Sequence, residues 1–278
     1  MKESVDRRIL GAFQCVDAIT GSALIDAIPV TMQQSTVISQ PWVVKANRSG
    51  VYVIFDGPNF SKVTQEFSPT DWPTGDEIVK FEITLTDPSG RYLPRRAKVR
   101  APQDLPAIPP ALSGSSTNPA ALAALRDVNT VFDPQPVKLY PAPSAPIGPN
   151  WAVIHASVVQ AGTTPPKSLP WAALQITRDS DNQVLASGQA YKNGEALLAV
   201  RGLTAQPSSS GTGPVTVSTV AVTVKAFFDP SVLDEADDWV PNPDDILNNT
   251  SNPALKNDSQ SVQLTSGQEL VMNFNISV

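Results

Sequence analysis

Along most of the chain apolar and polar residues alternate with a period of two, the pattern of strands that turn one face to a core. Ile9, Phe13 and Cys15 open the series, and Val79, Phe81, Ile83 and Leu85 alternate with Lys80, Glu82 and Thr84. Val51 to Phe55 is apolar on both faces, as an interior strand is, and it follows the turn Asn47-Arg48-Ser49-Gly50, where glycine can supply a positive φ. These segments predict a first β-sandwich over residues 1–104. Alternation returns at Trp151 and runs through Ile154, Ala156 and Val158, then Ala172, Leu174 and Ile176, then Leu198 and Val200, then Val220, Val222 and Val224. Leu270, Met272, Phe274, Ile276 and Val278 alternate to the last residue, so a second sandwich is expected over 151–278 with a C-terminal core strand at 268–278.

Between the two, residues 105–150 turn to Pro, Ala and Ser, with Pro106, Pro109, Pro110, Pro134, Pro136, Pro141, Pro143, Pro146 and Pro149 spacing the chain. That composition predicts a strap between domains. Inside it, Asn118 at an N-cap and Pro119 at the first helical position, followed by Ala and Leu, predict one short helix near 118–127. The expected fold is all-β: two tandem sandwich domains joined by a Pro/Ala-rich strap. The 27 prolines and only 17% charged residues fit, because proline collects at strand ends, edges and connections.

A long acidic loop, 229–260, interrupts the second sandwich with Asp229, Asp234, Glu235, Asp237, Asp238, Asp244 and Asp245. Loops longer than about 15 residues inside compact domains tend to be functional. Its apolar members Trp239, Val240, Ile246 and Leu247 must be buried against their own domain or against a partner, and with Asp237 and Asp238 they are the candidate partner contacts.

Charge and cysteine usage narrow the classes. A net charge of -6 supplies no basic stripe for phosphates, so nucleic acid is not an expected partner. Cys15 is the only cysteine, which excludes an intramolecular disulfide, and Met1-Lys-Glu-Ser-Val-Asp-Arg-Arg8 lacks the apolar run of a secretory signal, so synthesis in the cytoplasm is expected. No run approaches the roughly 18 apolar residues of a membrane-spanning helix, and no membrane insertion is expected.

Catalytic patterns are missing: there is no phosphate-binding Gly loop, H-E-x-x-H, C-x-x-C or G-x-S-x-G. His155, the single histidine, falls on the strand face of Trp151 and Ser157, opposite Ile154, Ala156 and Val158, and reads as a surface residue rather than a general base. Cys15 is in phase with Ile9 and Phe13 and reads as a structural thiol. A glycosidase would need a pair of carboxylates, which no spacing here singles out. Asp179-Ser180-Asp181-Asn182-Gln183 leaves the EF-hand pattern after two positions, and Asp234-Glu235-Ala236-Asp237-Asp238 has no glycine turn, so a solvated loop is favoured over a Ca²⁺ site. No cofactor is expected. Trp42, Trp72, Trp151, Trp171 and Trp239 offer a second possibility, a platform on which sugars stack, although core positions suit tryptophan better.

Gly11 to Val30, with Val16-Asp17-Ala18-Ile19-Thr20-Gly21 and Leu24, followed by Asn47-Arg48-Ser49-Gly50-Val51-Tyr52, resembles the carboxypeptidase regulatory-like family. Its pattern is a strand, a V-D-x-x-T-G-x-P-L turn, a second strand and a D-x-x-G-x-Y/F hairpin. A fainter copy runs from Ile154 to Val159, Leu169 to Ile176 and Lys192-Asn193-Gly194 to Leu203. The resemblance implies transthyretin-like or immunoglobulin-like sandwiches and a non-catalytic role, because modules of this family serve as appendages. The expected function is therefore a structural or adaptor protein that makes protein–protein contacts, with other structural proteins or with itself, in a larger assembly such as a virion, a phage tail or a tail-like contractile injection particle. The alternative is a carbohydrate or cell-surface binding module.

Overall fold

The computed structural model describes residues 11–26, 28–33, 43–56, 79–101, 134–203, 219–236 and 239–278. It is all-β. Strands β1 (Gly11–Asp17), β2 (Val30–Gln33), β3 (Val43–Ala46), β4 (Val51–Asp56), β5 (Val79–Leu85), β6 (Arg95–Ala101) and β7 (Gln135–Leu139) form two sheets, in the orders β3-β4-β1-β7 and β2-β5-β6. Strands β8 (Ala152–Gln160), β9 (Lys167–Ser168), β10 (Ala173–Arg178), β11 (Val184–Gln189), β12 (Glu195–Val200), β13 (Val220–Phe228), β14 (Lys256–Leu264) and β15 (Glu269–Ile276) form two more, β11-β10-β13-β14 and β12-β8-β15, with β9 paired to the end of β8. The described helical pieces are a 3-10 turn, Pro230–Asp234, and a short helix α1, Pro243–Leu247.

The chain gathers into two compact units. One takes the described residues within Met1–Val16, Ala23–Leu85 and Ala97–Val137, the other those within Asp17–Ser22, Thr86–Arg96 and Lys138–Val278. Both are discontinuous in sequence, which alternation alone does not convey: it marks a strand without saying which core receives it. The helix expected near 118–127 lies outside the described residues, and 135–139 of the expected strap is a strand.

In the first unit the buried residues come from both sheets: Phe13, Cys15, Tyr52 and Ile54 from one, Ile83, Leu85, Ala97 and Val99 from the other. Phe13 faces Tyr52 across the β1–β4 ladder, and their rings stack with centroids 4.8 Å apart. In the second unit the two sheets enclose one continuous core, to which β8 gives Ile154, Ala156 and Val158, β10 Leu174 and Ile176, β13 Val222, Val224 and Ala226, and β15 Met272, Phe274 and Ile276. A slip of one residue in β15 would exchange these for Val271, Asn273 and Asn275, so the apolar phase fixes the register.

Two boundaries differ from those expected. The acidic excursion ends at Leu255, because Lys256 to Gln260 already pair with Phe228 to Val224. As an exposed edge strand, β14 keeps almost no apolar phase by which it could be recognised. The final strand feeds the core as expected but lies at its sheet's edge and runs parallel to β8.

Gly50 shows how tightly the first unit is closed. Its φ is +73°, and a Cβ there would lie 2.0 Å from the carbonyl oxygen of Leu24; Gly21 has a similar φ of +68° but nothing within 4 Å. Gly21→Ala should therefore cost about 1 kcal/mol, the penalty of an L-residue at positive φ. Gly50→Ala should cost at least about twice that, since the methyl also meets backbone that cannot move aside. Urea denaturation followed by circular dichroism tests the ranking; equal midpoints for the two variants would contradict it.

Candidate functional site

The outward face of the β12-β8-β15 sheet is built in rows by strand register: Ala199–Val153–Glu269, then Leu197–His155–Val271, then Glu195–Ser157–Asn273. At one end Ile19, Ala145 and Trp151 pack over Val153, Leu197 and Ala199. Beyond that cover the face is open. His155 and Ser157 are half-buried, Glu195 and Asn273 are exposed, and Val271 is 78% exposed. A depression of about 220 Å³ opens here, lined by Pro143, His155, Ser157, Glu195, Ala196 and Val271.

His155 thus lies on the outward face that strand phase predicts, with Ile154, Ala156 and Val158 in the core. Serine, histidine and glutamate share this face, and among the described residues no hydrogen bond joins their side chains. The Glu195 carboxylate is instead oriented by Asn193, whose Nδ2 donates to Oε2 at 2.7 Å. The lining sets the side chains of Val271 and Pro143 beside the hydrogen-bonding groups of His155, Ser157 and Glu195.

The edge of β15 next to this face is partly closed. Gln260 Nε2 donates to the carbonyl of Asn273 at 2.6 Å, and the amide of Asn275 donates to Asp258 Oδ2 at 2.9 Å. Side chains of β14 thereby occupy backbone groups that an incoming strand would need.

The excursion 229–255 places the predicted contact residues in the protein's own second unit. Val240 and Ile246 are buried; Ile246, with Leu247 against it, packs on Ala173, Phe227 and Leu255. Trp239 is half-buried against the main core, with the Arg96 guanidinium 5.6 Å from its ring centroid. Asp237 and Asp238 lie outside the described residues. Asp234, Glu235 and Asp245 remain exposed.

What holds the excursion is Arg95, whose side chain is 1% exposed. Its Nη2 donates to Asp244 Oδ2 at 2.7 Å and to Asn242 Oδ1 at 3.1 Å, its Nη1 to the carbonyl of Lys138, and its Nε to the carbonyl of Arg96 at 3.1 Å. Asn242 also caps α1 by accepting from the Asp244 amide, and the Arg96 amide donates to the Pro241 carbonyl. Tyr140 lies beneath the guanidinium; burial pushes its hydroxyl up to about 12, partly offset by the Arg95 charge. Sequence reasoning passed over Arg95, although the signal was present: it is in phase with the buried Ala97 and Val99, and a charge in core phase demands a partner.

The turn carboxylates are committed to backbone. Asp17 accepts from the amides of Ile19 and Thr20 and from the Tyr92 hydroxyl at 2.7 Å. Burial alone would raise its pKa, but these donors outweigh it and hold the carboxyl below the usual range. Asp87 binds the amides of Ser89, Arg91 and Tyr92 in the same way. In the β10–β11 turn Arg178 grips Asp181 through both carboxylate oxygens and draws it down to about 2, while Asp179 accepts from Thr223. Among the described residues no three His, Cys, Asp or Glu side chains converge as metal ligands would. Cys15 is buried beside Phe13 and Tyr52. Among the described tryptophans none is a flat open platform: Trp171 is buried and meets Tyr191 edge-on at 5.7 Å, and Trp151 and Trp239 are half-buried. Trp42 and Trp72 lie outside the described residues.

Asp244→Ala should destabilise the second unit by about 2–3 kcal/mol, somewhat below the roughly 3–5 of a fully buried pair because Asp244 is partly exposed. Arg95→Met, which removes the charge with the chain length kept, should cost less; the reverse order in urea titrations would refute a buried, uncompensated charge. Acid stability gives a second test. Because the folded pKa of Asp17 is depressed, its contribution is present above the unfolded value of about 3.9 and is lost as pH falls through the folded one. Tyr92→Phe removes a donor, so acid unfolding should begin at higher pH, with a loss of about 1–2 kcal/mol at neutral pH; an unchanged acid limb would show that the hydroxyl does not bear on Asp17.

No family model matches the sequence, and comparison with curated proteins finds no match. Among solved structures, a TIE protein of Bacillus anthracis is similar at 9% identity and a TM-score of 0.26, over 97% of this chain and 34% of that one. The chain spans about a third of that protein's length.

Proposed function

We propose that the chain is a non-enzymatic structural or adaptor protein that makes protein–protein contacts within a larger assembly, and that the open half of the β12-β8-β15 face is its contact surface. The observation that carries this reading is the position of Val271. It stands 78% exposed beside a depression lined by Pro143, His155, Ser157 and Glu195, on a sheet packed over a continuous core, while the other end of the same face is covered by Ile19, Ala145 and Trp151. A single exposed valine is ordinary; one at the rim of a depression on a rigid sheet is how a binding surface is built. Trp239, Val240, Ile246 and Leu247 enter this reading as the packing that holds the excursion in place, and the excursion presents carboxylates outward. Other structural proteins, or further copies of this chain, are the proposed partners, in a virion, a phage tail or a tail-like injection particle.

The test is affinity capture of the tagged full-length chain from its native host lysate beside Val271→Asp, with partners identified by mass spectrometry. A stoichiometric set of structural proteins should accompany the parent chain and be lost from Val271→Asp, while circular dichroism of the two proteins stays the same. A monodisperse chain that captures nothing would end the assembly reading. Capture that survives Val271→Asp would move the contact elsewhere.

A further inference from the structure

We propose that the depression beside Val271 receives a lysine side chain presented by the protein partner; this rests on the reading of that face as a contact surface. Among the described residues of its lining Glu195 is the formally charged side chain, and Glu269 stands on the same outward face, two positions along β15 from Val271. The chain as a whole carries a net charge of -6, so the complementary ligand is a cation.

Hydrogen-bonding capacity narrows the cation. Asn193 already holds Glu195 Oε2, which leaves Oε1. Among the described residues no hydrogen bond is made by Ser157 Oγ or the imidazole of His155, and both line the same depression. One carboxylate oxygen, one hydroxyl and one ring nitrogen offer three separate acceptors, matching the three donors of an ammonium group. Arginine's rigid fork is best met by two oxygens of one carboxylate free of other donors, whereas Asn193 already shares and turns this one. The apolar side chains at the depression, Val271 and Pro143, suit the methylene stem of a lysine, which buries its carbons while keeping its charge among polar groups. Approach through the face rather than along the strand edge is favoured, because Gln260 and Asp258 already occupy backbone groups of Asn273 and Asn275.

His155 is the only histidine in the chain, so its imidazole signals report on this depression without ambiguity. The full-length protein is titrated with N-acetyl-lysine methylamide, and the carbon-bound ring protons are followed by NMR. A saturable shift in the millimolar range is expected, absent with the ε-acetylated lysine derivative and with N-acetyl-glutamate methylamide. Glu195→Gln should weaken it roughly two- to fivefold, the size of one exposed charge pair. No saturable shift, an equal response to ε-acetyl-lysine, or an equal or tighter response to N-acetyl-arginine methylamide would each overturn the lysine assignment. The capture experiment separates the two levels: partners lost from Val271→Asp with no lysine response sink this inference alone, while capture indifferent to Val271→Asp removes the surface on which it rests.

Discussion

A guanidinium taken out of water governs the second unit. Removing a charged group from solvent costs several kcal/mol even after the surroundings relax, and that penalty is offset only where donors are matched and the charge is countered. Arg95 meets the requirement by drawing two distant stretches of chain to β6: the carbonyl of Lys138 at the end of β7, and the start of α1, where Asn242 is the cap and Asp244 lies in the first turn. A five-residue helix has no stability of its own, so α1 exists because it is held. Once it is held, Ile246 and Leu247 cover Ala173 and Phe227, and a stretch that composition marks as a solvated loop becomes part of the domain.

The tight turns follow a repeated device. Asn47-Arg48-Ser49-Gly50-Val51-Tyr52 and Asp87-Pro88-Ser89-Gly90-Arg91-Tyr92 share an Asn or Asp side chain that accepts from the amides two and four residues ahead, a glycine at positive φ, and a tyrosine whose hydroxyl reaches a distant element. Tyr52 bonds the backbone of Ile28 and Tyr92 bonds Asp17. Each turn thus fixes both a local reversal and a long-range contact. Burial pushes the Tyr52 hydroxyl up to about 12, as suits a group that works as a neutral donor.

Much of the β architecture could be read from phase. Met272, Phe274 and Ile276 alternate so strictly that their destination was plain, and His155 fell on the outward face for the same reason. Where phase was absent or long-range pairing decided the outcome, the sequence was silent. Lys256 to Gln260 pair as an edge strand with no apolar member, and the parallel partnership of β15 with β8 depends on which edge was vacant. The second appearance of the Asx-Gly-Tyr turn, at 87–92, is legible in the spacing of Asp87, Gly90 and Tyr92. The depression at His155 arises from the cross-strand rows of three strands distant in sequence, information that no local window contains.

The side chains that Gln260 and Asp258 lend to the rim of β15 have a consequence for behaviour at high local concentration. An uncovered edge strand is a template on which identical molecules add without limit, and the outcome is a filament rather than a closed complex. Two polar side chains on β14 interrupt that template at Asn273 and Asn275, so the broad face of the sheet stays accessible while this part of its margin is obstructed.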